Sequence, residues 1–205
     1  MERSRERPIP TLTEYYALYN ELPDHLAPVA ALAAFAGLRK GEILGLQRRH
    51  IDLDLATVRV EHALQEVTGK GPVLVEPKTA GRRRTVAMPN YLVEVLTDHL
   101  RQHVEPGPAS LLFTNSNGDP IRSSVWHPAW DQARKAADLD QIRLHDLRHL
   151  AGTLTAQAGA TLKETMAWLG HSCVDASLRY QHVAANRNAE IAGRIDDLIR
   201  PRAER

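Results

Sequence analysis

A single cysteine, Cys173, stands in 205 residues. No internal disulfide can form, which excludes a small oxidised scaffold and fits a reducing compartment. Long apolar runs are missing as well. The most apolar stretch, Leu26 to Leu38, is too short for the ~20 residues that cross a bilayer. The N-terminus, Met1 to Arg7, is charged and carries no apolar segment of the signal-peptide kind. A soluble protein of the cytoplasm is therefore expected, with no membrane partner. Net charge is nearly absent too: 26 Lys and Arg against 25 Asp and Glu leave +1. Bulk charge thus announces no polyanionic partner. No internal repeat or low-complexity tract is visible, which excludes a solenoid or a disordered chain. The 43% hydrophobic content suffices for the core of one domain, or of one domain with a small appendage.

What the total charge hides is clustering. Arg39-Lys40, Arg48-Arg49-His50 and Arg82-Arg83-Arg84 are three basic groups. A basic face balanced by acidic residues elsewhere would give the same total. Solvated surface is the bland alternative for each.

Along the chain, residues 1–10 read as a charged, Pro-containing lead. Thr13 is placed to cap a helix through Leu22, and an Ala/Leu-rich helix follows Pro23-Asp24 and ends near Ala36. Gly37 is well placed as the residue that stops it. Arg39 then sits in a tight link before a short helix from Gly41 to Leu46. Three strands are expected, at 56–62, 73–76 and 84–88. Lys78 falls in the Gly-containing turn between the last two. Helices are expected from Asn90 to about His103, from Ser123 or Ser124 to Ala137, and at about 145–158, 162–169 and 175–183. Trp126 and Trp130, four apart, read as core rather than base-stacking residues. Ile191, Ile195, Leu198 and Ile199 make an amphipathic stripe in the tail, residues 186–205. The whole reads as an α+β chain, mainly helical, with one small three-stranded antiparallel sheet packed on a helical bundle.

The stretch from Leu144 to Tyr180 carries the chemistry. His145-Asp-Leu-Arg148 comes first, then Leu169-Gly-His171, then Tyr180 nine positions on. Residues three apart on a helix are neighbours, about 5–6 Å between Cβ atoms. An imidazole and a guanidinium at that spacing can address one phosphate, and the guanidinium fork can hold two phosphate oxygens. Gly170 would end the preceding helix and leave His171 on a turn.

With Gly37-Leu-Arg39-Lys-Gly-Glu42 and Lys78 placed upstream in that order, the chain resembles the catalytic domain of a tyrosine recombinase of the phage-integrase type over nearly its whole length. The resemblance implies residues 11–185 as the catalytic domain and 186–205 as a tail helix. It implies site-specific DNA recombination, as integration or excision, through a 3′-phosphotyrosyl intermediate. Tyr180 would be the nucleophile. Arg39 and Arg148 would bind the scissile phosphate, Lys78 would protonate the leaving 5′-oxygen, His145 would accept a proton or bind phosphate, and His171 would bind phosphate. Glu42 would be structural, orienting an arginine. Arg48, Arg49, Arg82, Arg83 and Arg84 are candidates for DNA-backbone contacts. No metal or other cofactor is implied, because two arginines supply the positive charge. The partners implied are double-stranded DNA, with which the protein would associate in the nucleoid, and further copies of the chain. Free copies would be monomers, and tails 186–199 would be exchanged on DNA. The family's helical core-binding domain, which normally precedes the catalytic domain, is not matched by any segment of this sequence.

Two rival classes remain in view. His145 and His149 are four apart, as in zinc-binding helices, with Asp146 where such helices carry Glu. That would make a metallohydrolase. The other rival is a DNA-binding module that does not cut.

Overall fold

The computed structural model describes residues 9–76 and 83–170. Helix α1 (Leu12–Glu21) is capped by Thr11, not Thr13. The reason is spacing: Glu14 lies three residues beyond Thr11, so the Thr11 hydroxyl accepts from the Glu14 N–H at 3.2 Å while Glu14 Oε2 accepts from the Thr11 N–H at 2.7 Å. Helix α2 (Ala27–Phe35) is apolar on all sides and buried throughout Ala27 to Ala34, so it is the central element of the core. Helices α1, α4 (Asn90–Gln102) and α6 (Leu144–Gln157) pack around it. Helix α5 (Ser123–Ala136) carries Trp126 and Trp130, buried and stacked at 5.5 Å in the core, as expected. Its N-cap is Arg122, with no side-chain cap from either serine.

The three-stranded antiparallel sheet exists, but its membership differs from expectation. Its order is β1 (Ile51–Asp52), β2 (Thr57–Val60), β5 (Arg84–Ala87). The segment expected as its middle piece is β4 (Gly71–Val75), which pairs instead with β3 (Ala63–Val67) in a separate hairpin. Ala63-Leu-Gln-Glu-Val67 is built mostly of helix formers, so propensity concealed it as a strand. Consequently β4 and β5 are not partners, and the turn of the β3–β4 hairpin lies around Gly69, at φ +79°. Lys78 lies in segment 77–82, outside the described residues.

The hairpin presses on α3 (Lys40–Leu44), which starts one residue earlier than expected and ends two residues sooner. A Cβ on Gly41 would stand 2.9 Å from Leu64 O, and one on Gly45 would stand 2.9 Å from Leu64 N. These two glycines let strand backbone lie directly on the helix. Among the described residues no helix is long and apolar enough to cross a membrane.

Buried His99 on α4 gives the fold a pH dependence. Its Nε2 faces Leu112 O at 2.7 Å and donates to it. Among the described residues Nδ1 has no hydrogen-bond partner. Burial, above all, pushes its pKa down to about 4, with His103 and His25 adding to the shift and the Leu112 bond opposing it. A depressed histidine pKa means that the unfolded chain takes the proton first. Stability is thus full above about pH 6.5 and is lost as pH falls toward 4, by about 3 kcal/mol at most. Thermal melting from pH 7 to 4 should show that loss in the native chain and a shallower one in His99→Gln.

Candidate active site

Helices α3 and α6 begin in the same way. Glu42, third residue of α3, turns back so that Oε2 accepts from the Arg39 N–H at 2.9 Å. Asp146, third residue of α6, does the same for the Arg143 N–H at 2.8 Å. A carboxylate in the first turn also complements the positive end of each helix. Asp146 is buried in this duty. It is therefore no partner for a metal at His145 and His149, whose rings meet edge to face at 4.9 Å.

Arg148 is 1% exposed. Its Nη1 donates to Gly37 O and its Nη2 to Leu169 O. Gly37 follows α2 at φ +63°, and Leu169 ends α7 (Leu162–Leu169). One guanidinium therefore ties together segments 111 and 21 residues away from it. The approach is tight: a Cβ on Gly37 would stand 2.6 Å from Leu169 Cδ2.

Arg39 joins the same place from the other side. Its Nη2 donates to Gly170 O at 3.3 Å and its Nη1 to Glu42 Oε1 at 3.0 Å. Its side chain stays 42% exposed, so it can reach a ligand. The two arginines thus hang on consecutive carbonyls at the negative end of α7. Gly170 caps that helix in the left-handed region at φ +62°, as the spacing predicts. His145 stands exposed on α6, three residues before Arg148. Partial burial lowers its pKa first; Arg148 and Arg39 lower it further, against Asp146. At neutral pH its ring is neutral and has a lone pair to offer.

Glu42 is 7% exposed and holds more than Arg39. Arg84 donates Nη1 to Oε1 at 3.0 Å and Nη2 to Oε2 at 2.9 Å. Burial alone would raise the Glu42 carboxyl; the Arg84 bonds and charge, then those of Arg39, overcome it and hold the pKa at about 2. A cleft of about 390 Å³ opens beside this group, bordered by Arg39, Glu42, His62, Leu64, Val75 and Glu76.

The basic residues assigned to the DNA backbone divide by surroundings. Arg49 is exposed. Arg83 is exposed and pairs with Glu76 at 3.0 Å. Arg48 donates to Leu100 O at 3.1 Å and Val104 O at 3.3 Å, and so caps the end of α4. Arg84 is mostly covered, its side chain 9% exposed, on Glu42. The guanidinium groups of Arg48 and Arg84 are thus committed to the protein rather than presented to solvent. Arg82, Lys78, His171, Tyr180 and the tail stripe lie outside the described residues.

One further cluster has metal-like composition. His50, Glu61 and His62 bring three potential ligand atoms within 4.8 Å of one another. His50 Nδ1, however, accepts from the Gln47 N–H at 3.0 Å, so Nε2 carries the ring hydrogen and faces Glu61 Oε2 at 3.3 Å. A neutral imidazole already using its lone pair has none for a cation. Within the cluster, His50 Nε2 and the Glu61 carboxylate form a close polar pair.

Comparison with known proteins identifies the family and the fold. Residues 9–187 match the model of the phage integrase family. The chain is 40% identical over 191 residues to the prophage phiRv2 integrase of Mycobacterium tuberculosis strain H37Rv, covering 92% of this chain and 50% of that one. It is 31% identical over 199 residues to the integrase of Mycobacterium phage D29, covering 94% and 53%. The chain therefore spans about half the length of the curated relatives it matches. Among solved structures, the Tn1549 transposon integrase in complex with a circular intermediate DNA superposes with TM-score 0.79 at 21% identity, over 97% of this chain and 68% of that one. The catalytic domain of bacteriophage HP1 integrase does so with TM-score 0.63 at 18% identity, over 97% and 100%. The α+β catalytic-domain fold is the shared feature.

Proposed function

The chain belongs to the phage integrase family of tyrosine recombinases, and from that membership we propose that it cuts and rejoins double-stranded DNA through Tyr180. The observation that carries the proposal is that Arg39 and Arg148 hang on consecutive carbonyls at the end of α7, with His145 three residues before Arg148 on α6. The chain runs on from there directly to His171 and, nine residues later, to Tyr180.

The steps follow from what each group can do. A phenol with an ordinary pKa of about 10 must lose its proton to attack. Neutral His145 accepts it. The phenolate oxygen bonds to phosphorus as the P–O5′ bond breaks, and the 5′-oxygen takes a proton from the Lys78 ammonium. Charge building on the non-bridging oxygens is met by Arg39, Arg148 and His171. Arg148 contributes a fixed charge whose position is set by two carbonyls, so little reorganisation is needed as the reaction proceeds. The phosphotyrosyl bond retains the energy of a phosphodiester, so a second 5′-hydroxyl can attack it and reseal without ATP. These roles need no metal. Residues 11–185 form the catalytic unit, and tail residues 186–199 dock on a neighbouring copy when several assemble on DNA. The protein works in the cytoplasm, on the nucleoid.

The test is capture on DNA nicked near the junction of the element that carries the gene. Loss of the short fragment beyond the nick traps the covalent stage. A protein–DNA adduct on a denaturing gel, formed in the presence of EDTA, is expected. Binding of the same DNA with no adduct on either strand would leave a binding module and overturn the proposal.

A further inference from the structure

By sequence Arg84 belongs with the basic residues that would face DNA, but its surroundings give it other work. It opens β5, six positions after Lys78 in the chain. Its guanidinium grips both oxygens of Glu42, at 3.0 and 2.9 Å. The same two oxygens receive Arg39, Oε1 from its Nη1 at 3.0 Å and Oε2 from its backbone N–H at 2.9 Å. Arg84 also lies against Gly170: a Cβ there would come within 2.9 Å of its Cζ, Nε and Nη1. Gly170 O is the second anchor of the Arg39 guanidinium, at 3.3 Å. Arg84 therefore touches both groups that aim Arg39, the carboxylate and the peptide, while its own side chain is only 9% exposed.

We propose that Arg84 is a positioning residue for DNA cleavage: it fixes the Glu42 carboxylate and packs on the Gly170 turn, and together these hold the Arg39 guanidinium at the scissile phosphate. This rests on the recombinase reading above. The fork matters more than the charge, because two parallel N–H bonds fix the plane of the carboxylate. A lysine at this place keeps the charge and releases that plane. The glycine matters for the same reason, since any side chain at residue 170 would displace the guanidinium from Glu42.

The experiment compares Arg84→Lys with the native chain, both alone and in an Arg39→Lys background, by single-turnover cleavage of the nicked DNA at saturating protein. DNA affinity is measured at several salt concentrations and thermal melting alongside. A guanidinium displaced by about an ångström costs on the order of 100-fold in rate. Arg84→Lys should therefore slow cleavage about 100-fold in the native background and only a few-fold when Arg39 is already lysine. Affinity and its salt slope should stay within about twofold, since no phosphate contact is lost. Three results would overturn the proposal: native-like cleavage, equal slowing in both backgrounds, or an affinity loss with a shallower salt slope, which would mark a DNA contact. If the native chain itself gives no adduct, it is the recombinase reading that fails, and melting still reports whether the Arg84–Glu42 pair is structural.

Discussion

Replacing Tyr180 with phenylalanine is expected to abolish covalent capture of DNA while leaving DNA binding within about twofold of the native chain. Phenylalanine keeps the ring and removes the oxygen proposed to attack phosphorus. The groups proposed to hold the phosphate are elsewhere: Arg39 is fixed by Glu42 and Gly170, and Arg148 by Gly37 and Leu169. None of those contacts involves the tyrosine hydroxyl, so phosphate binding survives its loss. Replacement nucleophiles are poorly provided. Ser172 and Cys173 follow His171 directly, seven and more residues before Tyr180, and Tyr91 belongs to α4 on the far side of the sequence. The measurement is a denaturing gel of protein linked to labelled, nicked DNA, with proteolysis and mass analysis to find the modified residue. Native chain should yield a phosphotyrosyl peptide containing residue 180. The Tyr180→Phe chain should yield none, a loss limited only by detection. A phosphotyrosyl adduct of undiminished yield in that variant would remove Tyr180 from the mechanism.

How far the sequence led depended on whether a feature was local. Gly37 and Gly170 were legible as helix stops because an end of apolar periodicity followed by glycine has one ready physical meaning, the left-handed residue after a helix. The spans of α4, α6 and α7 and the buried Trp126–Trp130 pair followed from periodicity of the same kind. Strand β3 did not, because Ala, Leu, Gln and Glu prefer helix and are held extended by pairing with β4 and contact with α3. The basic residues mark the same boundary. Nothing in Arg82-Arg83-Arg84 tells which of the three meets a buried carboxylate 42 residues earlier in the chain. Arg48 gives no sign that it caps α4 through Leu100 and Val104, some 50 residues away. At the site, the spacing of His145 and Arg148 was readable as a common helix face, but their different depths were not. His145 is exposed and Arg148 buried, because Arg148 lies where α6 meets the ends of α2 and α7.

That depth sets the effect expected from changing Arg148, which should damage both fold and chemistry where Tyr180→Phe touches chemistry alone. Arg148→Ala removes a charged donor from Gly37 O and from Leu169 O and leaves a space at the junction of three helices. Bonds from charged donors to buried acceptors contribute about 1.5–3 kcal/mol each, and the acceptors are left without that donor. A loss of roughly 3–5 kcal/mol of stability follows, enough to lower the melting temperature by roughly 6–20 °C in a chain of this size. The catalytic loss comes on top. Removing one fixed positive group from a phosphoryl-transfer site costs on the order of 100- to 1000-fold in rate. The two effects separate in Arg148→Lys. Its ammonium keeps the charge and can bond one carbonyl well, but it cannot span both as the planar fork does. Melting should recover by at least half relative to Arg148→Ala, while cleavage at saturating DNA, measured well below the melting temperature, should stay at least 100-fold slow. Affinity for DNA should change far less than the rate, because Arg39 and the exposed Arg49 and Arg83 remain. Full cleavage in Arg148→Lys with restored melting would reduce Arg148 to a structural tie between α2 and α7 and would leave Arg39 as the principal phosphate ligand among the described residues.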